Sequence, residues 1–491
     1  MNPERSGTAG AGDTYDVVVV GNGMLGCATA LDLVRAEPSL RVAVVGPAGR
    51  PGGASAAAGA MLNCFGEVTH RTLSSEPGRV KLELSLQALE AWPAWLDELN
   101  ADLADDRRLA IREGTYVLYN SCGGRLDSLN YRAIVDALRS YGRKHEILPL
   151  GEVPNLDPAT NARPLEAVYL PEEGSIDARA VLDRVVEVAS RREVTFLDDR
   201  VVGWRRDGGR AAAAVLASGG TVAGGRFLVA AGASTRAVLA DLQDRDAPMV
   251  PVFAGIGVAV TSRATPSGLA HVVRSPNRSG GCGLHLVPGD GTVYLGATND
   301  VRLTPEDWSS LGMAHFLLGG AMEQFDRRLF GSPIVAWHVG NRPLPFDGHP
   351  VVGRLWQDDV WVLSGTYRDG FHCAPVLARH AADTLLGGPG VLGHDLFDPL
   401  RVPLLTLTHE QAVDEMVLHC VSQFYQYSPR LAPWMRVTDG VETQVRARTE
   451  ATYRELGSDF GLAPELLELL NWGENRKRSL AAFRRYLDVA R

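Results

Sequence analysis

Apolar and polar positions alternate between strand-like and helix-like spacing over about the first 390 residues. Val17–Val20 form a continuous β-branched run that predicts a buried parallel strand, and the apolar positions that follow, as far as Val34, predict a helix. Further strands are predicted at 41–45, 194–204, 212–217, 226–230, 251–260, 284–287, 292–296 and 360–364. Helices are predicted at 80–103 and at 374–386, and another helix is predicted to begin after Asp177, its N-cap. This order predicts an α/β fold in which a Rossmann-like nucleotide domain is interrupted by a mainly antiparallel second domain.

The pattern changes after about residue 396, where charged and aromatic residues follow helical spacing. Helices are predicted at 409–427, 438–457 and 464–490. Val413, Met416, Val417 and Cys420 recur at the spacing of one helix face, so this face must be buried. The run 387–390 (Gly-Gly-Pro-Gly) suits a domain boundary. We therefore expect a helical C-terminal extension without catalytic residues. Its apolar face either packs against the catalytic body or, as we favour, lies in a homo-oligomer interface.

The turn after the valine strand carries the pattern G-x-G-x-x-G. Gly21 allows a tight turn, Gly23 lets the backbone approach a pyrophosphate, and Gly26 lets the helix pack closely on the strand. The amides at the start of the helix, near Met24 and Leu25, would then receive the phosphates. A strand before the glycines and a helix after them indicate a dinucleotide site.

Composition and charge exclude several other classes of protein. The 491 residues are 45% hydrophobic and 22% charged, with a net charge of −9, so no basic surface for nucleic acid or anionic membrane is expected. No run of about 18 apolar residues indicates a membrane span. The six cysteines are scattered without a C-x-x-C pair, which excludes zinc and iron–sulfur sites, predicts no metal and favours a reducing cytoplasmic location.

Four segments, in this order along the chain, have the character of a flavin site. They are the 21–26 fingerprint, the small-residue loop 53–62, the strand pair 284–298, and the Asn-Arg-Pro segment 341–353 with the Arg-Asp-Gly segment 364–375. Together they resemble the D-amino-acid-oxidase-like flavoprotein superfamily, especially its glycine oxidase branch, over roughly residues 14–390. A loop of Ala, Ser and Gly can lay its backbone along a flat aromatic ring, which larger side chains would prevent.

The resemblance implies a tightly bound, noncovalent FAD, since no cysteine lies in 341–345, where relatives that attach the flavin carry one. It places the amides of Arg368–Phe371 at the pyrimidine edge of the flavin. The ribose-binding acid usual in the family is absent, because Gly46 occupies its position. The implied FAD-binding residues are Gly21, Gly23, Met24, Leu25, Gly26, Gly46, Pro47, Ala54, Ser55, Ala58, Gly59, Ala60, Met61, Val201, Ala231, Gly232, Arg368, Asp369, Gly370, Phe371 and His372.

The same resemblance assigns Arg342 to a substrate carboxylate, which suits its bidentate guanidinium. The alternative is an arginine that only pairs with an acidic neighbour. His285 stands where glycine oxidases often carry a substrate-facing tyrosine, and Tyr367 and His372 flank the Arg-Asp-Gly turn; each either lines the pocket or is structural. His70 is a weaker candidate, and no residue is nominated as the acid or base.

The expected function is FAD-dependent oxidation of a C–N bond in a small amine or amino acid by dioxygen, giving an imine and hydrogen peroxide. One alternative is a 2-hydroxy-acid or polyol dehydrogenase on the same fold. Another is a flavin-binding subunit of a partner complex. The expected domains are an FAD-binding domain (14–75, 151–245 and 336–392), a substrate domain (76–150 and 246–335) and the extension (393–491).

Overall fold

A computed structural model of the chain describes residues 14–120, 124–242, 248–263, 268–355, 359–426, 437–473 and 475–490. The strands, in chain order, are β1 (Thr14–Val20), β2 (Val42–Val45), β3 (Met61–Leu62), β4 (Arg112–Asn120), β5 (Glu146–Pro149), β6 (Pro164–Ser175), β7 (Thr195–Leu197), β8 (Val201–Asp207), β9 (Arg210–Leu216), β10 (Thr221–Val229), β11 (Val252–Arg263), β12 (Val272–Arg274), β13 (His285–Gly289), β14 (Thr292–Gly296), β15 (Asp300–Arg302), β16 (Ile334–Pro345), β17 (Val351–Arg354) and β18 (Val360–Ser364).

The helices, in chain order, are α1 (Met24–Ala36), α2 (Glu76–Asn100), α3 (Gly124–Ser140), α4 (Ala178–Arg191), α5 (Thr235–Val238), α6 (Leu311–Gln324), α7 (Ala374–Leu385), α8 (His409–Gln426), α9 (Val437–Leu456), α10 (Pro464–Trp472) and α11 (Arg476–Val489). None of the helices in these ranges combines the length and hydropathy that a bilayer crossing needs.

The valine strand lies in the middle of the first sheet. Within the described residues this sheet has the order β17-β18-β10-β1-β2-β7, with β8 and β9 continuing beside β10. β1 pairs in parallel with β10 and β2, and Val17–Val20 are buried. Burial on both faces is what a run of valines favours. α1 follows β1 and packs against α4 and α7, so the glycine turn lies at the carboxyl end of a central strand.

The second sheet carries the wall of the site. Its order is β15-β11-β14-β13-β12-β4-β6-β3, with β16 paired to β11 and β5 to β6 among the described strands. β11 and β16 are antiparallel and place Arg342 opposite Gly255. The predicted α/β class is confirmed. Because β6 and β16 belong to this sheet, the segments 151–245 and 336–392 each supply strands to both sheets.

Several predicted element bounds differ from the structure. The predicted strand 194–204 is two strands, β7 and β8, because the chain turns between residues 197 and 201. The predicted helix 464–490 is likewise two helices, because α10 ends at Trp472 and is capped by Gly473, whose N–H donates to Leu469 O at 3.1 Å. The Asp177 N-cap is confirmed, since its Oδ1 accepts hydrogen bonds from Arg179 N and Ala180 N.

The extension packs on the catalytic body through an aromatic cluster. Phe346, which directly follows β16, has its ring centroid 5.1 Å from that of Phe483 and 4.9 Å from that of Tyr486. Phe253 of β11 stacks on Phe483 at 5.1 Å. The face of α8 that includes Val413 is also buried within the same chain. The chain's own body therefore covers this apolar face, for which the sequence favoured a subunit interface. Its burial gives no reason to expect an oligomer.

Candidate active site

The glycine turn between β1 and α1 forms a cradle that has no room for side chains. Gly21 has φ +118°, and a Cβ there would overlap the backbone of Ala230. A Cβ on Gly26 would overlap the carbonyl oxygen of Gly21. Gly23 is the N-cap of α1, and Ser55 Oγ accepts a hydrogen bond from the next amide, Met24 N, at 3.0 Å. This close backbone approach fits a pyrophosphate at the start of a helix.

A continuous cavity of about 820 Å³ runs from the cradle to the second sheet. This volume is at the upper end of the range for small-molecule sites. The residues predicted to bind FAD line it, apart from Gly26, which packs helix against strand. Those lining the cavity are Gly21, Gly23, Met24, Leu25, Gly46, Pro47, Ala54, Ser55, Ala58, Gly59, Ala60, Met61, Val201, Ala231, Gly232, Arg368, Asp369, Gly370, Phe371 and His372. Their individual contacts to FAD remain predictions.

The missing ribose acid has a steric reason. A Cβ on Gly46 would overlap the side chain of Asn22. Asn22 is fixed there, because its Nδ2 donates to Pro47 O and its backbone carbonyl accepts from Arg50 Nε, both at 2.9 Å. An acidic side chain at residue 46 does not fit beside this asparagine. Polar side chains near the end of β2 are therefore supplied by Asn22 and Arg50, which also line the cavity.

The backbone of the small-residue loop 53–62, and of Gly52 just before it, is hydrogen-bonded to the second sheet. Asn341 N donates to Gly52 O at 2.9 Å, and Tyr294 OH donates to Ala57 O at 2.7 Å. A Cβ on Gly59 would come within 2.8 Å of the Tyr294 ring. The loop thus runs between the cradle and β14, as expected for a segment laid along a flat ring. Sequence reasoning missed Tyr294, since an aromatic residue on a strand usually indicates packing.

Arg342 lies in the cavity wall with part of its guanidinium unused. Its Nη1 donates to the backbone oxygen of Thr298 at 2.8 Å and, at 3.4 Å, to Asn299 Oδ1. In the described part of the chain, no acceptor bonds its Nε or Nη2, and no carboxylate forms an ion pair with it. The strand register places Gly257 under the guanidinium, where any Cβ would overlap it. This arrangement favours the carboxylate-binding interpretation over a structural ion pair.

Tyr367 lines the cavity, and its side chain is buried on a backbone in the left-handed conformation, φ +50°. Its hydroxyl accepts a hydrogen bond from Asn299 Nδ2 at 2.9 Å. Burial, together with the carboxylate of Glu465, raises the pKa of Tyr367 well above its ordinary value. The residue therefore stays protonated at neutral pH and does not act as a base.

Arg368 contributes its side chain to a buried charge cluster. The guanidinium donates through Nη1 to Asn277 Oδ1 at 2.9 Å, and its Nη2 lies 3.2 Å from Glu67 Oε2. Arg274, only 1% exposed, donates to Glu67 Oε1 at 2.6 Å and to Asn277 Oδ1 at 3.0 Å. Burial opposes ionisation of Glu67, but the two guanidinium groups outweigh it and hold the pKa of this carboxyl well below its usual range. Two guanidinium groups thus share the carboxylate of Glu67 beside the cavity.

The sequence did not indicate this cluster. Glu67 and Arg274 are 207 positions apart. Each follows an apolar stretch, and one charged residue at such a point does not by itself indicate a partner. The one available signal was a charged residue at the end of the apolar strand β12, because an arginine that is fully buried requires a partner.

His285 is buried in the cavity wall beside Tyr294, with ring centroids 6.0 Å apart. Its Nδ1 lies 3.1 Å from Gly283 O, which makes Nδ1 the protonated nitrogen. Burial, followed by the charge of Arg274, lowers the pKa of His285 to about 3. The ring is therefore neutral at pH 7, with Nε2 as an acceptor.

The segment after Arg368 is fixed to helix α2. Lys81 Nζ lies 3.1 Å from Asp369 Oδ2, and the Phe371 ring stacks on Trp92 at 5.8 Å. His372 Nε2 donates to Ser85 O at 2.7 Å, and burial lowers the pKa of this histidine. His372 lines the cavity but is held by α2, which gives it a structural contact as well.

The cysteines bear on how the cofactor is held. Cys64 and Cys373 are buried in the core, and burial raises the pKa of both thiols well above the ordinary value. The cysteine that lines the cavity is Cys282, in the loop before β13. His70, a weak candidate from sequence, does not line the cavity; its Nε2 lies 2.9 Å from Glu415 Oε1 of the extension.

Comparison with known proteins agrees with this geometry. Residues 16–384 match the family described as FAD dependent oxidoreductase (DAO), and the chain belongs to this family of FAD-dependent enzymes. Among curated relatives, the glycine oxidases of Pseudomonas aeruginosa and Geobacillus kaustophilus are each 27% identical, over 386 and 381 residues; these alignments cover 76% and 75% of this chain and 94% and 92% of the relatives.

Solved structures show the same fold. The glycine oxidase from Geobacillus kaustophilus superposes with a TM-score of 0.66 at 24% identity, covering 79% of this chain and 99% of that one. Iminodiacetate oxidase from Chelativorans sp. BNC1 superposes with a TM-score of 0.66 at 21% identity, covering 78% and 98%. The family match ends at residue 384, before α8 begins.

Proposed function

We propose that the protein is an FAD-dependent oxidase that breaks a C–N bond in a small amino acid or amine carrying a carboxylate. The observation that carries this proposal is Arg342, a cavity-lining arginine that no described carboxylate neutralises. The curated relatives named glycine oxidase support a small amino acid as the substrate. The proposed net reaction converts amino acid, dioxygen and water into a carbonyl acid, ammonia and hydrogen peroxide.

Arg342 would bind and orient the substrate. The bond from Nη1 to Thr298 O fixes the plane of the guanidinium, and Nε and Nη2 remain to donate to a carboxylate. Holding the carboxylate at a fixed point limits where the adjacent Cα can lie, which is a positioning effect. Bound FAD supplies the two-electron acceptor.

The remaining polar groups of the wall fit a site without a dedicated base. His285 is neutral with its Nδ1 proton directed to Gly283 O, and Tyr367 keeps its proton. Neither group removes a proton readily at pH 7. The substrate amine would therefore lose its proton to solvent before oxidation, and activity should rise with pH as the neutral amine becomes more abundant.

The experiment that tests this proposal is an anaerobic screen of the purified holoenzyme. Glycine, N-methylglycine, the enantiomers of alanine and iminodiacetate are compared with lactate and glycerol by loss of flavin absorbance, and peroxide is then measured in air. Bleaching by amino acids with stoichiometric peroxide supports the proposal. Bleaching only by hydroxy compounds assigns the dehydrogenase alternative, and no bleaching by any of these compounds overturns oxidation of a small amino acid.

A further inference from the structure

The C-terminal extension reaches the active site through the loop 275–283. Asn277, Cys282 and Gly283 of this loop line the cavity. On its outer side, Ser279 Oγ donates to Gln426 Oε1 at the end of α8, at 2.6 Å. Helix α10 contacts the same loop, since a Cβ on Gly281 would overlap the carboxylate of Glu465. Two helices outside the family match thus cover the back of an active-site loop.

The position of this loop determines the position of Arg368. The Arg368 Nη1 group donates to Asn277 Oδ1 at 2.9 Å and also to Gly281 O. Asn277 further accepts from Arg274 Nη2 at 3.0 Å and donates through Nδ2 to Glu67 O at 2.9 Å. Asn277 therefore bonds all three charged residues of the cluster and connects movement of the loop to the wall.

A chain of hydrogen bonds connects α8 to Asn277. Glu415 Oε1, on α8, lies 2.9 Å from His70 Nε2, and His70 Nδ1 lies 2.9 Å from Asn130 Oδ1. Asn130 Nδ2 in turn donates to Asn277 O at 2.7 Å, which fixes the orientation of the Asn130 amide. Burial opposes protonation of His70, but the hydrogen bonds to Glu415 and Asn130 and the charge of Glu415 outweigh it and raise the pKa of this histidine. The buried carboxylate of Glu415 also accepts from Arg71 Nε at 2.7 Å.

We propose that the C-terminal extension positions the active-site wall: the chain Glu415–His70–Asn130–Asn277 holds the loop 275–283 and, through it, Arg368. Glu415 and Asn130 are positioning residues, since neither lines the cavity. The loop has a further anchor in the body itself, where buried Arg278 Nε donates to buried Asp127 Oδ2 at 2.8 Å. The loop therefore has one anchor within the body and a second that runs through Asn130 and His70 to the extension. The inference rests on the proposed function only for its kinetic readout.

The direct test is hydrogen–deuterium exchange on the holoenzyme. Glu415→Gln keeps the shape of the side chain and removes its charge, and we expect exchange in the peptide containing 275–283 to accelerate roughly three- to tenfold. Glu410→Gln, an exposed glutamate on the same helix, is the matched control and should leave the loop unchanged. Ser279→Ala, which removes only the hydroxyl bonded to Gln426, should give a smaller acceleration in the same peptide. Unchanged exchange in Glu415→Gln overturns the proposal, whatever the result for Ser279→Ala.

Ligand binding distinguishes positioning from a purely structural role. Acetate is used as the probe, and its dissociation constant is measured from the shift it causes in the flavin spectrum. Glu415→Gln should weaken acetate and raise KM by the same factor, roughly three- to tenfold, with kcat within about twofold and FAD content unchanged. A lower melting temperature with an unchanged acetate constant means that the role is structural and overturns the inference.

A double-mutant cycle tests the path. If Glu415 acts through Asn130, the combined variant Glu415→Gln/Asn130→Ala should have the same loop exchange as Asn130→Ala alone, because the chain is already broken. Additive effects overturn the assigned path. The exchange readout does not require turnover, so failure of the proposed oxidase reaction in the wild-type enzyme is recognised separately.

Discussion

Arg342 is held by the backbone oxygen of Thr298, to which its Nη1 donates at 2.8 Å, and no carboxylate among the described residues pairs with it. A neutral acceptor orients the guanidinium without cancelling its charge. The consequence is a site that can select a substrate anion, because a guanidinium without a carboxylate partner gains a charge-assisted hydrogen bond from the ligand.

Replacing Arg342 by Met should therefore remove a charge-assisted contact of about 2–5 kcal/mol, lowering kcat/KM by roughly 30-fold or more. FAD content should stay at the wild-type level. Steady-state kinetics with the best amino acid from the screen provides the measurement. Arg263→Met, at the exposed end of β11 in the same sheet, is the control and should have wild-type kinetics. Wild-type kinetics in Arg342→Met would show that the substrate carries no carboxylate at this point.

FAD should be bound without a covalent link. Acid precipitation should give a colourless pellet and a yellow supernatant, since Cys64 and Cys373 are packed in the core with raised thiol pKa values. A yellow pellet would contradict this prediction. The residue to replace first would then be Cys282, which lines the cavity, and Cys282→Ser should release the flavin.

Gly26→Ala should lower both FAD content and stability. Its new methyl group would overlap Gly21 O and push α1 away from β1, at a cost of about 1–3 kcal/mol from overpacking. Flavin-to-protein absorbance and the thermal midpoint are the measurements. Gly49→Ala, where a Cβ meets no atom within 4 Å, should match the wild type in both. A fully loaded, equally stable Gly26→Ala protein would argue against the close packing of helix on strand.

The pH dependence of stability should include a term from His285. Its pKa in the folded protein is about 3, below the ordinary histidine value of about 6.5. As pH falls through this interval, the unfolded chain takes up a proton that the folded chain does not, so the free energy of unfolding decreases. His285→Gln should therefore lose less stability than the wild type between pH 7 and pH 4 in thermal melts. His315→Gln, exposed on α6, should keep the wild-type slope, and parallel slopes for all three proteins would contradict the assignment.

Ending the chain at Leu392 should impair folding, although the sequence alone favours a separable extension. Phe253 and Phe346 are each only 1% exposed, and Phe346 contacts Phe460, Phe483 and Tyr486 of the extension. Removing that cover exposes a contiguous apolar face, which promotes aggregation. Soluble yield and light scattering measure the result. A soluble, flavin-loaded truncated protein would mean that these contacts contribute little to stability.

Local signals located the parts of the site that a single segment determines. The valine strand, the glycine turn and the Asp177 cap each follow from neighbouring residues, because backbone conformation and close packing are set within a few positions. The steric overlap between Asn22 and any side chain at residue 46 also lies close to the turn. It could not be predicted from the sequence, because the two residues meet only when β1 pairs with β2.

Partners far apart in the chain were not predictable. Arg368 was expected to act through its amide, whereas its side chain joins a cluster with Glu67 and Arg274. Glu415 meets His70 across 345 positions. No periodicity encodes such pairings, since each residue alone is an ordinary polar residue in a polar–apolar pattern. The covered face of α8 was recognised as buried, but its partner within the chain was not.

The separation of Glu415 from His70 also bears on how the enzyme matures during synthesis. Domains generally fold as they leave the ribosome, N-terminal parts first. The glycine turn and the small-residue loop emerge early, whereas the helix that anchors the loop 275–283 is among the last segments translated. The residues of the phosphate cradle thus leave the ribosome well before the helix that holds the substrate wall, so this wall is the last part of the site to be completed.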